Sequence, residues 1–416
     1  MAVEKTDTLV VGGGQAGLAA SEHLGGHGID HVVLEKDRIA EQWRTGRWDS
    51  LVANGPAWHD CFPTMDFKIA PDAFATKEDV TEYFEAFAKQ INSPIRCGVE
   101  VTAAQKKTAG AGFTVTTSEG VIEANNIVVA TGPFQHPVMP PVIPAQTNVQ
   151  QLHSNDYYNP AQLPDGAVLV VGSGSSGSQI ADELLRAGRE VYLSVGPHER
   201  PPRAYRGRDF VWWLGVLGKW DLATVDPDTA HVTIAVSGAY GGKTVDFREF
   251  AGRGMNLLGM TRQYDNGTLH FADDLAANIA HGDASYLAML DEADAYVKRN
   301  GLDLPAEESA KLIGSDPECL INPVTELNLD EANVNSVIWA TGYANDFNWL
   351  SAEVFDTEGK PVHQRGVTAE QGIYFLGLPW LSRRGSSFIW GVWHDAKYIA
   401  DHILTQHRYR SYQPDS

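Results

Sequence analysis

Two segments of the chain share one pattern, and that repeat limits the fold more than any other feature. Thr8 to Gly28 reads TLVVGGGQAGLAASEHLGGHG, and Val168 to Gly188 reads VLVVGSGSSGSQIADELLRAG. Each opens with an apolar run short enough for a buried strand, turns at glycines spaced G-x-G-x-x-G, and continues as a helix. A further apolar run follows in each, His31–Leu34 and Glu190–Leu193. Both copies therefore spell strand, glycine turn, helix, strand, the opening half of a doubly wound sheet. The helices are expected to end near His23–Gly28 and near Arg186.

The glycine spacing has a chemical purpose. The first glycine makes the tight turn, the second lets backbone approach a pyrophosphate, and the third lets helix and strand pack closely. The helix N-terminus then offers unpaired amides and a partial positive charge to the phosphates. Gly12, Gly14 and Gly17 hold these places in the first loop, with Gln15 and Ala16 between them. Gly172, Gly174 and Gly177 hold them in the second, with Ser173, Ser175 and Ser176. The loops differ at the end of the following strand. Glu35 stands where a carboxylate accepts from ribose hydroxyls. The equivalent place in the second copy is Val195, beside Ser194, with Arg200, Arg203 and Arg206 close behind in GPHERPPRAYRGRD. An acid repels a 2′-phosphate and an arginine fork holds one. Two readings of that basic loop stand, a phosphate clamp and a solvated surface. The first predicts FAD in the N-terminal loop and NADPH, preferred over NADH, in the second.

The remaining chain fits this plan. At 416 residues it exceeds what one core supports. IVVATGPF (Ile127–Phe134) and VIWATGYANDF (Val337–Phe347) each close a β-branched strand with Ala-Thr-Gly. Between Arg203 and Asn322 the pattern loosens into helices, around Phe210–Leu217 and Asp273–Lys298, read as a cap. Trp212, Trp213 and Trp220 are read as its packing. Crossing points are expected at Pro160–Asp165 and Gly314–Pro323. The fold class is thus α/β: two dinucleotide-binding, Rossmann-like domains, the NADP domain (161–322) inserted into the FAD domain (1–160 and 323–416).

Bulk properties narrow the function. The net charge of −21 argues against nucleic acid or an anionic membrane as partner. Cys61, Cys97 and Cys319 form no CxxC pair, which removes a local dithiol mechanism and gives no metal-ligand spacing. The N-terminus lacks a signal-peptide succession, and no apolar run reaches membrane-spanning length. A cytoplasmic protein is expected; a homodimer is left open.

The paired loops, both Ala-Thr-Gly segments, EQWRTGRWDSL (Glu41–Leu51) and GLPWLSRRGSSFIWGVWHDA (Gly377–Ala396) resemble class B flavoprotein monooxygenases. The CzcO-like branch, akin to plant indole-pyruvate monooxygenases, is the nearest in pattern. The resemblance implies FAD held by Gly12, Gly14, Gly17 and Glu35, with Gln42, Trp43 and Arg44 near the flavin. Lys36, Val101, Ala130, Thr131 and Gly132 join the FAD set. Thr341 and Gly342 are placed between the cofactors. Asn54, in Val52-Ala53-Asn54-Gly55-Pro56, matches an Asn-x-Pro element beside the flavin, and also reads as a turn-forming Asn-Gly. His394, followed by Asp395, falls on the C-terminal helix whose start points at the flavin in this family. It reads either as an acid–base residue or as an ordinary satisfied histidine. One departure is clear. The family fingerprint Phe-x-Gly-x-x-x-His-x-x-x-Trp/Tyr aligns here with Thr147, Val149, His153 and Tyr157, so only its last two positions survive. His153 is accordingly read as a linker residue.

The function this implies is an FAD-dependent, NADPH-consuming monooxygenase. The resemblance routes O2 through a C4a-(hydro)peroxyflavin to a small organic substrate. The alternatives are an NADPH-dependent reductase without oxygen insertion and a non-catalytic flavin sensor. Aromatic residues Trp58, Phe62, Trp380, Trp390 and Trp393 suit a flat or apolar substrate and suit a core equally well.

Overall fold

The computed structural model describes residues 3–223 and 233–413; residues 224–232, part of the expected cap, lie outside the described residues. The first repeat folds as read: β1 (Glu4–Val11), α1 (Gln15–Gly26), β2 (His31–Glu35). The strands pair in parallel from Thr8↔His31 to Val11↔Leu34. Thr8, Leu9 and Val10 are fully buried because a parallel sheet is covered on both faces. After α2 (Glu41–Arg44) comes α3 (Lys77–Gln90). Its start is fixed by a capping box: Thr76 Oγ1 accepts from the Asp79 amide and the Asp79 carboxylate accepts from the Thr76 amide. Then follow β3 (Ile95–Cys97), parallel to β2, and the antiparallel meander β4 (Val101–Lys106), β5 (Phe113–Thr117) and β6 (Gly120–Val129).

Strand β6 pairs with β1 along one edge and with two partners in turn along the other. Its first half pairs antiparallel with β5, and its Ile127–Val129 end pairs in parallel with the strand Ile373–Phe375. That late strand brings the chain back to the first sheet. The C-terminal helix Ile389–Ser411 then packs against α1.

The chain leaves the first sheet through β7 (His136–Pro137) and enters a second, five-stranded sheet. Here β8 (Gln150–His153), β9 (Ala167–Val171), α4 (Ser175–Arg186) and β10 (Val191–Ser194) carry the second repeat. The strand order is Asn256–Leu258, β10, β9, Val334–Trp339, β8, all parallel. The insertion is as expected; its boundaries are not. Both β8 and Val334–Trp339 lie outside 161–322, so the second unit runs from about residue 150 to 339. The crossing is made by β7 against Tyr343–Ala344, an antiparallel pair. The reason lies in the repeat itself. Each Ala-Thr-Gly strand hydrogen-bonds to the first strand of its own copy, β6 to β1 and Val334–Trp339 to β9.

Between the repeat and the return, helices Phe210–Val216 and Leu275–Asn300 build a cap with its own core. Trp213 and Trp220 are buried there with Met289 and Leu290, and Trp212 packs against them. No described helix is long and apolar enough to cross a membrane.

Candidate cofactor sites and the seam between them

The two glycine loops have matching skeletons. Gly12 adopts φ +115° and Gly172 φ +107°, conformations that disfavour a side chain. A Cβ at Gly12 would overlap the Ala130 carbonyl, and one at Gly172 would lie 2.5 Å from the Ala340 carbonyl oxygen. Each loop is thus pressed against the alanine of its own Ala-Thr-Gly turn. A Cβ at Gly17 would overlap the Gly12 carbonyl, and one at Gly177 the Gly172 carbonyl. These glycines serve chain-to-chain packing.

Gly14 serves something else. It has ordinary extended geometry, φ −87°, and a Cβ built there meets nothing within 4 Å. It caps α1 with no side-chain bond, so the first-turn amides have no intrahelical partner. Ala16 is buried in that turn, and Gln15 Nε2 donates to the Ser387 carbonyl at 2.7 Å, tying the turn to the start of the C-terminal helix. Glu35 is pinned beside the loop. Its carboxylate accepts from the Gly13 amide at 2.6 Å and the Asp37 amide at 2.9 Å. Burial pushes this carboxyl up, and the two amides pull it back. Ala130 is buried; Thr131 and Gly132 follow, with open space at the Gly132 Cβ position. Lys36 is exposed, and Val101 begins β4 opposite Thr117, in the antiparallel part of the sheet. An open amide-lined turn with a fixed carboxylate alongside fits a dinucleotide with a free ribose.

The second loop is covered. A Cβ at Gly174 would overlap Thr233 Cγ2, and Ser175 Oγ donates to the Ile234 carbonyl at 2.8 Å. Ser176 is exposed, and Ser173 exchanges bonds with Gly196. Ser194 is buried, its hydroxyl spent on Gly259 and Thr261.

The expected arginine clamp is corrected by the structure. Arg200 and Arg203 are only 4% and 6% exposed. Arg200 binds Asp283, which Arg248 shares from its other oxygen at 2.6 Å, and its guanidinium lies over Tyr286. Arg203 grips both Asp209 oxygens at 2.6 Å and donates to the Asn54 and Ser237 carbonyls. Arg206 pairs with Asp294. A guanidinium leaves water only with a carboxylate to meet it, and the acidic face of the helix Leu275–Asn300 supplies Asp283 and Asp294. The run LDEADAY in that helix signals Asp294; Asp283 stands upstream in HGDAS, in no acidic run.

Between the loops runs a seam of side chains from both units. Asn54 Oδ1 accepts from Gln179 of α4, which leaves its amide NH2 as the donor end. Gln42 donates to Asn155, and Trp43 packs against the cores of both units. Arg44 instead turns to Glu85 on α3 at 2.5 Å. Thr341 bonds the Val138 carbonyl, and the Gly342 carbonyl accepts from the Val138 amide and from His153 Nε2. His153 also accepts at Nδ1 from the Asn155 amide, which fixes it as a neutral Nε2–H tautomer in a structural place. Tyr157 is bonded to Glu183.

Two groups at this seam escaped sequence reading. Arg47 lies against the rings of Phe134 and Trp43, which follow and precede it from different segments, and it interacts with Tyr343. His59 Nδ1 donates to the Asp60 carboxylate at 2.9 Å, and the ring stacks on Trp220 and Trp390. The adjacent pair His59-Asp60 was its signal. His394 stands edge-on to Trp390, 5.0 Å between ring centres. Both histidines have a buried Nε2 without a partner among the described residues. Burial and the Arg383 charge push the His394 pKa down, keeping it neutral.

The profile of the family described as pyridine nucleotide-disulphide oxidoreductase matches residues 9–208. A CzcO-like oxidoreductase of Geobacillus kaustophilus is 36% identical over 403 residues, covering 96% of this chain and 98% of its own. A probable indole-3-pyruvate monooxygenase of Arabidopsis thaliana is 28% identical over 408 residues, covering 96% and 90%. Among solved structures, a flavin-containing monooxygenase from Stenotrophomonas maltophilia superposes with TM-score 0.68 at 17% identity, covering 97% of this chain and all of its own.

Proposed function

Because the chain belongs to the CzcO-like oxidoreductases, class B flavoprotein monooxygenases that use FAD and NADPH, we propose that it inserts one oxygen atom into a small organic substrate. The balance is substrate, O2, NADPH and a proton giving oxygenated substrate, NADP+ and water. FAD supplies the hydride acceptance and oxygen activation that no side chain provides. The observation that carries this reading is the pair of like loops at the ends of β1 and β9, each a parallel strand in its own sheet.

The chain's own residues bind, orient and shield. Gly14 would let the FAD pyrophosphate reach the α1 amides, Gly12 and Gly17 holding the turn in shape, and Glu35 would accept from its ribose. The second loop, Gly172 to Gly177, takes NADPH. The start of the helix Ile389–Ser411, tied to α1 through Gln15, directs a positive dipole end toward that cradle and favours negative charge there. Asn54 offers an NH2 donor at the seam, and neutral His394 keeps a buried Nε2 with no partner among the described residues. Trp220 and Trp390 stack on His59 and shield it from water.

The test uses 18O2 with NADPH and a panel of sulfides, amines, ketones and 2-oxo acids. One labelled oxygen per NADPH in a product supports oxygen insertion. NADPH consumption driven by an added electron acceptor in air-free buffer, with no labelled product in air, supports the reductase reading instead.

A further inference from the structure

The twin loops differ in one respect that their sequences do not announce. The place beside Gly14 is open, whereas the place beside Gly174 is filled by the Thr233 side chain, its Cβ 3.9 Å from where a Gly174 Cβ would stand. At the same turn the Ile234 carbonyl takes the Ser175 hydroxyl. That bond holds the segment against the first turn of α4, whose amides favour an anion there.

The covering segment is built to stay near. Thr233–Ile234 forms a short parallel ladder with β11 (His198–Glu199), and the Ala235 amide donates to the Glu199 carbonyl at 2.8 Å. Behind that tip the chain is anchored. Ala235 and Val236 are buried, the Val236 carbonyl accepts from Gln179, and Gly238 packs so closely on the Ala53 carbonyl that no Cβ would fit. Thr233 itself is exposed and Ile234 half-buried. Among the described residues, Thr233–Ile234 is held by a short ladder and joined on its C-terminal side to a buried base, which makes it a small opening unit.

We propose that Thr233–Ile234 is an autoinhibitory strap: closed, it occupies the pyrophosphate position of the second loop, and the nicotinamide cofactor binds only when the tip lifts. This rests on the reading of the second loop as the NADPH site. Apparent affinity for the cofactor is then the intrinsic affinity scaled by the open fraction.

The FAD-loaded full chain is titrated calorimetrically with NADP+, beside two variants at the exposed Thr233. Thr233→Gly removes the methyl above Gly174 and is expected to tighten NADP+ binding about tenfold. Thr233→Asp adds a carboxylate that the α4 amides favour, and is expected to weaken it by about the same factor. Visible flavin spectra are expected to match in all three. Hydrogen exchange supplies the second readout: saturating NADP+ is expected to speed exchange of the Ala235 amide. Slower exchange with NADP+ would mean the tip closes onto the cofactor, and overturns the proposal. So does equal affinity in both variants. If NADP+ binds none of the three proteins, the second-loop assignment itself fails and the strap falls with it.

Discussion

Replacing Gly14 with alanine separates binding from folding more cleanly than any other change in the first loop. The site accepts the methyl: φ is −87°, and a Cβ there meets nothing within 4 Å. Two small terms act on stability. A glycine-to-alanine change at a compatible position gains about 0.4–1 kcal/mol through the unfolded chain. Alanine is a poorer helix N-cap than glycine, by roughly 0.5–1 kcal/mol. They offset, so the flavin-free protein is expected to unfold within about 0.5 kcal/mol of the parent. The methyl, however, stands where a phosphate must approach the α1 amides. Losing one charge-assisted hydrogen bond costs about 1.5–3 kcal/mol, which is about 10- to 150-fold in Kd. The assay is fluorescence titration of flavin-free protein with FAD, paired with urea unfolding of the same preparation. Gly17→Ala is the contrast, since its Cβ would overlap the Gly12 carbonyl and it should lose stability and flavin together. Gly14→Ala binding FAD as tightly as the parent would refute the assignment of this turn to the pyrophosphate.

Two further outcomes follow from buried charge. Arg203→Ala leaves the half-buried Asp209 carboxylate without its guanidinium partner, the Val211 amide alone remaining on it, and is expected to cost about 1.5–3 kcal/mol of stability by urea unfolding. The ratio of NADP+ to NAD+ affinity is expected to stay unchanged; a collapsed ratio with intact stability would return the arginine to the phosphate. His198 is fully buried, bonded through Nδ1 to the Gly196 carbonyl with Nε2 unpartnered, and burial pushes its pKa down. The unfolded chain takes that proton near 6.5, the ordinary value, while the folded chain resists it. Stability from this group is therefore complete above 6.5 and lost as pH falls through the lowered folded pKa, with a slope of up to about 1.4 kcal/mol per pH unit. His198→Gln is expected to flatten the stability profile between pH 7 and 5; an unchanged slope would show that His198 does not titrate on unfolding.

What could be read from sequence was whatever is local. Each strand, glycine turn and helix of the repeat is specified within about thirty residues by period and turn chemistry, and both copies fold within a few residues of expectation. Domain boundaries are a different kind of information. Val334–Trp339 belongs to the second sheet because it pairs with β9, more than 160 residues earlier, and no local pattern names that partner. The repeat held the hint, since an Ala-Thr-Gly strand returning to each copy implies two closures rather than one. The arginines show the same limit. A basic loop after a strand looks free until the partner of each charge is known, and Asp283 and Asp294 lie some eighty residues downstream on a helix. His59 was legible as a residue but not as a site, because its place beside Trp390 and His394 joins the two ends of the chain.

The two loops also show why a repeat need not keep equal roles. Gly12 presses on Ala130 as Gly172 presses on Ala340, and the third glycines pack alike, so their skeletons supply like phosphate cradles. A resident flavin and a nicotinamide that must leave each turnover make opposite demands on such a cradle. The first is met by an open Gly14 and a carboxylate already fixed by two amides, so little ordering remains to oppose binding. The second is met by a cradle whose entrance is filled by Thr233. If that tip is closed nine-tenths of the time, the apparent Kd rises about tenfold, and the segment that reduces affinity also re-covers the loop after NADP+ departs. Weak binding at the second site then needs no change in the glycine motif, only a short strand laid across it.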